Sequence, residues 1–362
     1  MGEAFVKKIW DELKSQNIFY YIIVFSIIVI LIITSLGSYL YQFYYKTIYS
    51  DFLVSNEEHL DAEINRHEND MQIIRNIVYQ MGITEDVTKF RLSENPQAAL
   101  QLEKHLFQYI TVSQFFQMLL YQYHEDDYMY TGTTSVGVDY FAEQGCVMEL
   151  LDAEEVKAEI RSTDKELRIW PEQSVSGFWI QMYMGGEDMV LYMQAIPPAF
   201  QETLLFVVPG SYYDSLMEKD EEDLREDFII YKDEVIVSRG SLELPSDAIL
   251  PLSGEEEGQR QVKIDGKKYL LSVRQGTSGL TYCSLQSMEV FYDKIVTGQW
   301  GIIVLLSVCA IPAAFFIMVF SRRMAAKVKK MNQLLDSQEE TNYNLSSIGS
   351  GIQMLVEANE QK

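Results

Sequence analysis

The residues best suited to contacting a ligand alternate along one short stretch, 178–184. Trp179, Gln181 and Tyr183 share one face of a strand there, and Phe178, Ile180, Met182 and Met184 share the other. In the neighbouring strand Tyr192 and Gln194 fall opposite Leu191, Met193 and Ala195. Where one face of such a sheet packs on a helix, the other is free to line a cavity. The Met/Leu/Ile face is expected to take the helix. That leaves Trp179, Gln181, Tyr183 and Tyr192 toward a pocket, with Tyr130 from an earlier strand beside them. Aromatic walls with a few polar groups suit a small organic ligand.

Catalytic motifs are missing from the sequence. His59, His67, His105 and His124 stand outside any HExxH or CxxC context, and no GxSxG, P-loop or kinase signature occurs. Glu125-Asp126-Asp127 after His124 reads as a polar turn. Cys146 and Cys283 lie far apart, and Cys309 falls in an apolar run, so no disulfide framework or metal site is read from spacing. The expectation is a protein that is not an enzyme and takes no cofactor or metal.

The segments that must carry the pocket are bracketed by two uncharged runs. Ile18–Tyr41 has no charge between Lys14 and Lys46, and Trp300–Phe320 has none between Lys294 and Arg322. Each reaches the ~20 apolar residues that cross hydrocarbon. The first exceeds a signal-peptide core and has no Ala-x-Ala site after it, so it reads as an anchor. Lys7, Lys8 and Lys14 precede the first run, while Arg322, Arg323, Lys327, Lys329 and Lys330 follow the second. By the positive-inside rule both termini are cytoplasmic and residues 42–298 are extracytoplasmic, in a plasma-membrane protein with two spans. The formal net charge of −24 resides in that exterior, where residues 43–298 hold 20 Lys and Arg against 45 Asp and Glu. Such acidity argues against nucleic acid or anionic lipid as an exterior partner.

The exterior begins with a long helix. Leu53, Leu60, Ile64, His67, Met71, Ile74, Val78 and Met81 follow heptad-like steps, and no Pro or Gly interrupts Lys46–Met81. Such a seam serves either a parallel homodimer or the sheet of its own chain, and Gly82 reads as its C-terminal stop. Strands then alternate with turns. The acidic run Glu218–Asp227 reads as a solvated connector, and Lys232-Asp233 and Asp265-Gly266 as hairpin turns. The organisation is therefore α+β in seven parts: 1–17 cytoplasmic, 18–41 first span, 42–82 long helix, 83–217 distal unit, 218–298 proximal unit, 299–321 second span and 322–362 cytoplasmic linker.

Lys268–Val273 followed by Ser278-Gly279-Leu280-Thr281-Tyr282-Cys283-Ser284-Leu285 resembles the end of a membrane-proximal Cache unit, with Leu280 where Trp is usual and Ser287 where Pro is common. Phe228–Ile236 resembles the hairpin of the same unit. Ile169-Trp170-Pro171 with Val190–Pro197 resembles the distal Cache unit of membrane-bound AraC-type regulators from Gram-positive bacteria. Ser346–Glu357 resembles the linker ahead of their helix-turn-helix pair. The resemblance implies two tandem PAS-like units (a double Cache sensor) on one long helix, sensing a small extracellular ligand. It also implies a transcription-regulating output domain beyond Lys362, through which alone DNA would be contacted. Two alternatives stay open: the sensor half of a two-component histidine kinase, and a non-signalling surface or adhesion protein. No Pro follows the second span, which weighs against a HAMP linker.

Overall fold

The computed structural model describes residues 2–83, 92–145, 147–148, 151–172, 175–176, 185–197, 199, 201–217, 224–242, 244, 249–251, 254 and 257–360. It divides into two units, residues 1–47 with 294–362, and residues 48–293. The fold is mixed α+β, with two antiparallel sheets and two long helices that contain apolar runs.

In the first unit, helix α1 (Gly2–Ile83) enters with its apolar part and the C-terminal helix α6 (Met288–Glu360) leaves with its own. Both contain windows apolar and long enough to cross a membrane, with mean hydropathy 2.2 and 2.8, and none of either window is buried. The two segments meet in antiparallel order. Gly37 faces Leu306, Gln299 donates to the Tyr41 hydroxyl at 3.4 Å, and the Tyr44 hydroxyl donates to the Lys294 carbonyl at 3.0 Å. Gly298 lies directly against the Tyr44 ring, where any Cβ would collide.

In the second unit, the remainder of α1 carries a buried stripe through Phe52, Asn56, Leu60, Glu63, His67, Met71, Ile74, Val78 and Met81. Spacings of three and four keep these on one face. Helix α2 (Pro96–Val112) begins where Asn95 accepts from the Ala98 amide and Pro96 fills the first turn, where no N–H is needed. The first sheet orders its strands β3-β2-β1-β8-β7-β5, all antiparallel. These are β1 (Met118–Tyr123), β2 (Tyr128–Tyr130), β3 (Ser135–Gly137), β5 (Arg168–Trp170), β7 (Met189–Ala195) and β8 (Glu202–Pro209). A two-stranded ribbon pairs β4 (Val147–Met148) with β6 (Val175–Ser176). Helix α3 (Val138–Tyr140) runs into a π-turn, Phe141–Gly145, and α4 (Ala153–Ile160) starts on a reciprocal Asp152/Glu155 capping box.

Helix α5 (Gly210–Leu216) leads to the second sheet, ordered β10-β9-β13-β12-β11. Its strands are β9 (Arg225–Tyr231), β10 (Glu234–Gly240), β11 (Gly258–Ile264), β12 (Lys267–Gln275) and β13 (Thr281–Ser287). Lys232-Asp233 and Asp265-Gly266 join their strands with both residues of each pair at positive φ, the backbone of a type I′ hairpin. Polar ties also link parts of the two sheets. Arg239 on β10 grips Glu172 with Nη2–Oε1 at 2.5 Å and Nη1–Oε2 at 2.6 Å, and its Nε donates to Asp214 of α5 at 2.6 Å.

The seam residues lie against the chain's own fold, one of the two uses expected of them. His67 is fully buried, Leu60, Met71, Ile74, Val78 and Met81 are at most 3% exposed, and most of them share one core with both sheets. Leu53 and Ile64 sit at half-buried margins, because the true stripe passes through Phe52, Asn56 and Glu63. Gly82 is the penultimate described residue of α1, which is described to Ile83. Its missing side chain lets the Pro197 carbonyl approach the helix.

Candidate functional site

The face assignment of the first sheet is the reverse of the expected one. Val190 and Tyr192 of β7, with Leu204, Phe206 and Val208 of β8, point into the core beside α1. Leu191 and Met193, with Leu205 and Val207, point the other way, where Val138, Phe141, Val156 and Ile160 cover them. The strand parity holds, and the covers are exchanged. Both faces of the sheet are buried, so hydrophobicity alone could not choose between them. Tyr192 and Tyr130 are therefore core residues on the helix side, not pocket walls. Tyr130 donates to Asp126 at 3.3 Å within the polar turn after β1. Trp179, Gln181 and Tyr183 lie outside the described residues.

What Tyr192 meets is His67. The Tyr192 hydroxyl lies 3.3 Å from His67 Nε2 and 2.6 Å from the Tyr213 hydroxyl. On the other side of the ring, His67 Nδ1 lies 2.8 Å from the hydroxyl of Tyr282, on β13 of the second sheet. Tyr282 also donates to Glu68 at 3.1 Å. Phe115, Tyr212, Tyr213 and Tyr282 stand around the imidazole with ring centroids 5.7–6.1 Å away. One residue of α1 thus bridges the first sheet, α5 and the second sheet.

The proton positions follow from counting donors. Burial lowers the His67 pKa to about 4, against a small opposing pull from Glu68, so the imidazole is neutral with one N–H. Glu68 is an acceptor only, so Tyr282 donates to it and receives the N–H from Nδ1. Nε2 is then an acceptor and takes the Tyr192 proton, which leaves Tyr213 to donate to Tyr192. The chain Tyr213 → Tyr192 → His67 → Tyr282 → Glu68 satisfies every member in one direction. Burial opposes the Glu68 charge, but hydrogen bonds from Ser278, Thr277 and Tyr282, with Arg75 nearby, keep its pKa below the ordinary value. Burial also raises the Tyr192, Tyr213 and Tyr282 hydroxyls far above the ordinary range, so the relay stays protonated. Such an array holds a fixed geometry. It has no titratable nucleophile or base poised near neutral pH.

A cleft of about 440 Å³ adjoins this hub. Phe115 and Tyr212 form part of its wall, and Arg66, Asn69, Asp70, Gln114 and Gln117 supply polar groups. Asp70 accepts from the Tyr212 hydroxyl at 2.6 Å, and Arg66 holds the Ser215 carbonyl and hydroxyl at 3.0 Å each. Opposite charges one helical turn apart thus line one opening.

A second polar cluster lies on the same helix. His59 Nε2 is 3.0 Å from Glu63 Oε1 and 3.4 Å from Asp227 Oδ2. Burial opposes charge on His59, but the two carboxylates outweigh it and raise its pKa to about 9. Burial and the Asp227 charge push Glu63 up to about 7, against the pull of His59 and Arg225. Sequence reasoning singled out His67 as the one polar residue of the seam, and Tyr282 fell within the hairpin that carries the family resemblance. Tyr213, Glu68 and Asp227 had no local signal, because their partners Tyr192, Tyr282 and His59 lie 21, 214 and 168 residues away.

No protein-family model and no curated protein matches the chain. Among solved structures it is similar to the sensory domain of the Campylobacter jejuni chemoreceptor Tlp3 (CcmL), at 11% identity and TM-score 0.44, over 69% of this chain and 99% of that one. The same domain with isoleucine bound gives 10% and 0.45, over 69% and 98%. The ligand-binding domain of Mlp24 with asparagine gives 14% and 0.43, over 70% and 98%.

Proposed function

We propose that the chain is a transmembrane sensor of the double Cache type. In this reading residues 42–298 are extracytoplasmic, both termini are cytoplasmic, and a small extracellular ligand is reported to an AraC-type transcriptional output. The basic clusters outside both apolar runs support the orientation. Two antiparallel sheets set along one helix support the architecture. The observation that carries the sensing role is Tyr212, which belongs both to the cleft wall and to the ring of aromatics around His67. An occupant of the cleft would touch the hub that joins the two sheets.

The cleft chemistry selects a small solute with both charges, its cation on Asp70 and its anion on Arg66. A homodimer remains part of this reading, drawing on exposed side chains of α1 such as Val54, Ile73 and Tyr79. The test is thermal melting of the full chain in detergent against a panel of small zwitterionic and polar solutes. A hundredfold excess over Kd should raise the Tm by about 5–10 °C. Arg66→Ala and Asp70→Ala should abolish the rise. A rise that survives both substitutions would place the ligand elsewhere, and no rise with any solute would remove the cleft from the reading.

A further inference from the structure

We propose that His59, Glu63 and Asp227 form a binding site for one divalent first-row transition-metal ion. His59 and Glu63 stand one turn apart on α1, so their side chains leave the same face. Asp227 comes from β9 of the second sheet and completes the set, and the three ligand atoms lie within 4.8 Å of one another. An ion held at about 2.0–2.2 Å by such donors leaves them about 3.0–3.5 Å apart. The His59–Glu63 and His59–Asp227 separations of 3.0 and 3.4 Å have that spacing already.

The carboxylates supply the second, independent observation. Glu63 and Asp227 are only 6% and 4% exposed; Glu63 Oε1 meets the His59 ring nitrogen at 3.0 Å, while Asp227 Oδ1 is buried with no hydrogen-bond partner. A buried oxygen in that state is costly unless something positive meets it. One imidazole with two carboxylates suits Zn²⁺ or Mn²⁺ better than Mg²⁺ or Ca²⁺, which prefer oxygen alone. His59 remains 27% exposed, which leaves solvent access and room for a water as a further ligand. The bound ion would clamp α1 to β9. The site is separate from the cleft, so it stands or falls independently of the sensing role.

The experiment uses the full chain, untagged, in detergent and stripped with a chelator. Titration with Zn²⁺ should show one ion per chain and a raised Tm, and Co²⁺ should give visible absorption bands from nitrogen and oxygen ligands. His59→Ala and Asp227→Asn should each weaken Zn²⁺ binding at least about 10-fold. His105→Ala, at an exposed histidine of α2, should bind as the wild type does. Where His59→Ala fails to fold, His59→Gln keeps a hydrogen-bond donor beside both carboxylates and decides the matter by the same titration. Absence of saturable binding at one ion per chain overturns the proposal. So does wild-type affinity in the His59 variant.

Discussion

Removing the Tyr192 hydroxyl should show whether the two sheets are energetically one body. Tyr192→Phe deprives the Tyr213 hydroxyl of its acceptor at 2.6 Å and His67 Nε2 of its donor at 3.3 Å. Both orphaned groups are fully buried. At about 1–3 kcal/mol per unsatisfied buried group, less the relief of burying one hydroxyl fewer, the loss is about 2–4 kcal/mol. That corresponds to a Tm drop of roughly 5–15 °C for a unit of this size. Tyr282→Phe takes the acceptor from His67 Nδ1, while Glu68 keeps Ser278 and Thr277, so about 1–3 kcal/mol is expected.

Tyr192 and Tyr282 sit on different sheets, and both bond the same imidazole. Urea unfolding of the full chain in detergent, followed by tryptophan fluorescence, gives the four corners of a double-mutant cycle. A coupling of about 0.5–3 kcal/mol is expected in the native background. In a His67→Phe background it should vanish, because the link is gone. Additivity within about 0.5 kcal/mol, or a coupling that persists without His67, would refute the hub.

Two further outcomes follow from the same core. His67 titrates near pH 4 when folded against 6.5 otherwise, so between those values the unfolded chain binds a proton that the folded chain excludes. Stability should therefore rise with pH across that window and fall by about 3 kcal/mol on acidification through it. Glu68, Tyr192, Tyr212, Tyr213 and Tyr282 face the ring, and His67→Phe should lose this component. Equal losses in both proteins between pH 7 and pH 4.5 would count against it. Gly82→Ala is the other case. Helix propensity alone predicts a gain of about 1 kcal/mol. The new Cβ would meet the Pro197 carbonyl and the Ile196 side chain, so the Tm should drop, and a raised Tm would show that the loop yields.

Composition and period were enough to read several features from the chain itself. The two apolar runs, the basic clusters and the acidity of the stretch between the runs are local properties. So are the type I′ hairpins at Lys232-Asp233 and Asp265-Gly266, because positive φ is set by turn residues and their neighbours. Strand parity in Met189–Ala195 was equally legible, since side chains alternate by covalent geometry. Tertiary structure decided which face met which cover. Both faces of β7 and β8 are buried, so Leu191 and Met193 were as acceptable under the π-turn and α4 as against α1. The choice went to Tyr192 because His67 and Tyr213 offer its hydroxyl partners on the helix side. The α1 stripe shows the same limit. Hydrophobic periodicity selected Leu53 and Ile64, whereas the fold buries Asn56 and Glu63 beside His67; the partners of Asn56 and His67, namely Ser272, Ser284 and Tyr282, come from the far end of the chain. A polar residue becomes a core residue only when its partner arrives, and that arrival is long-range.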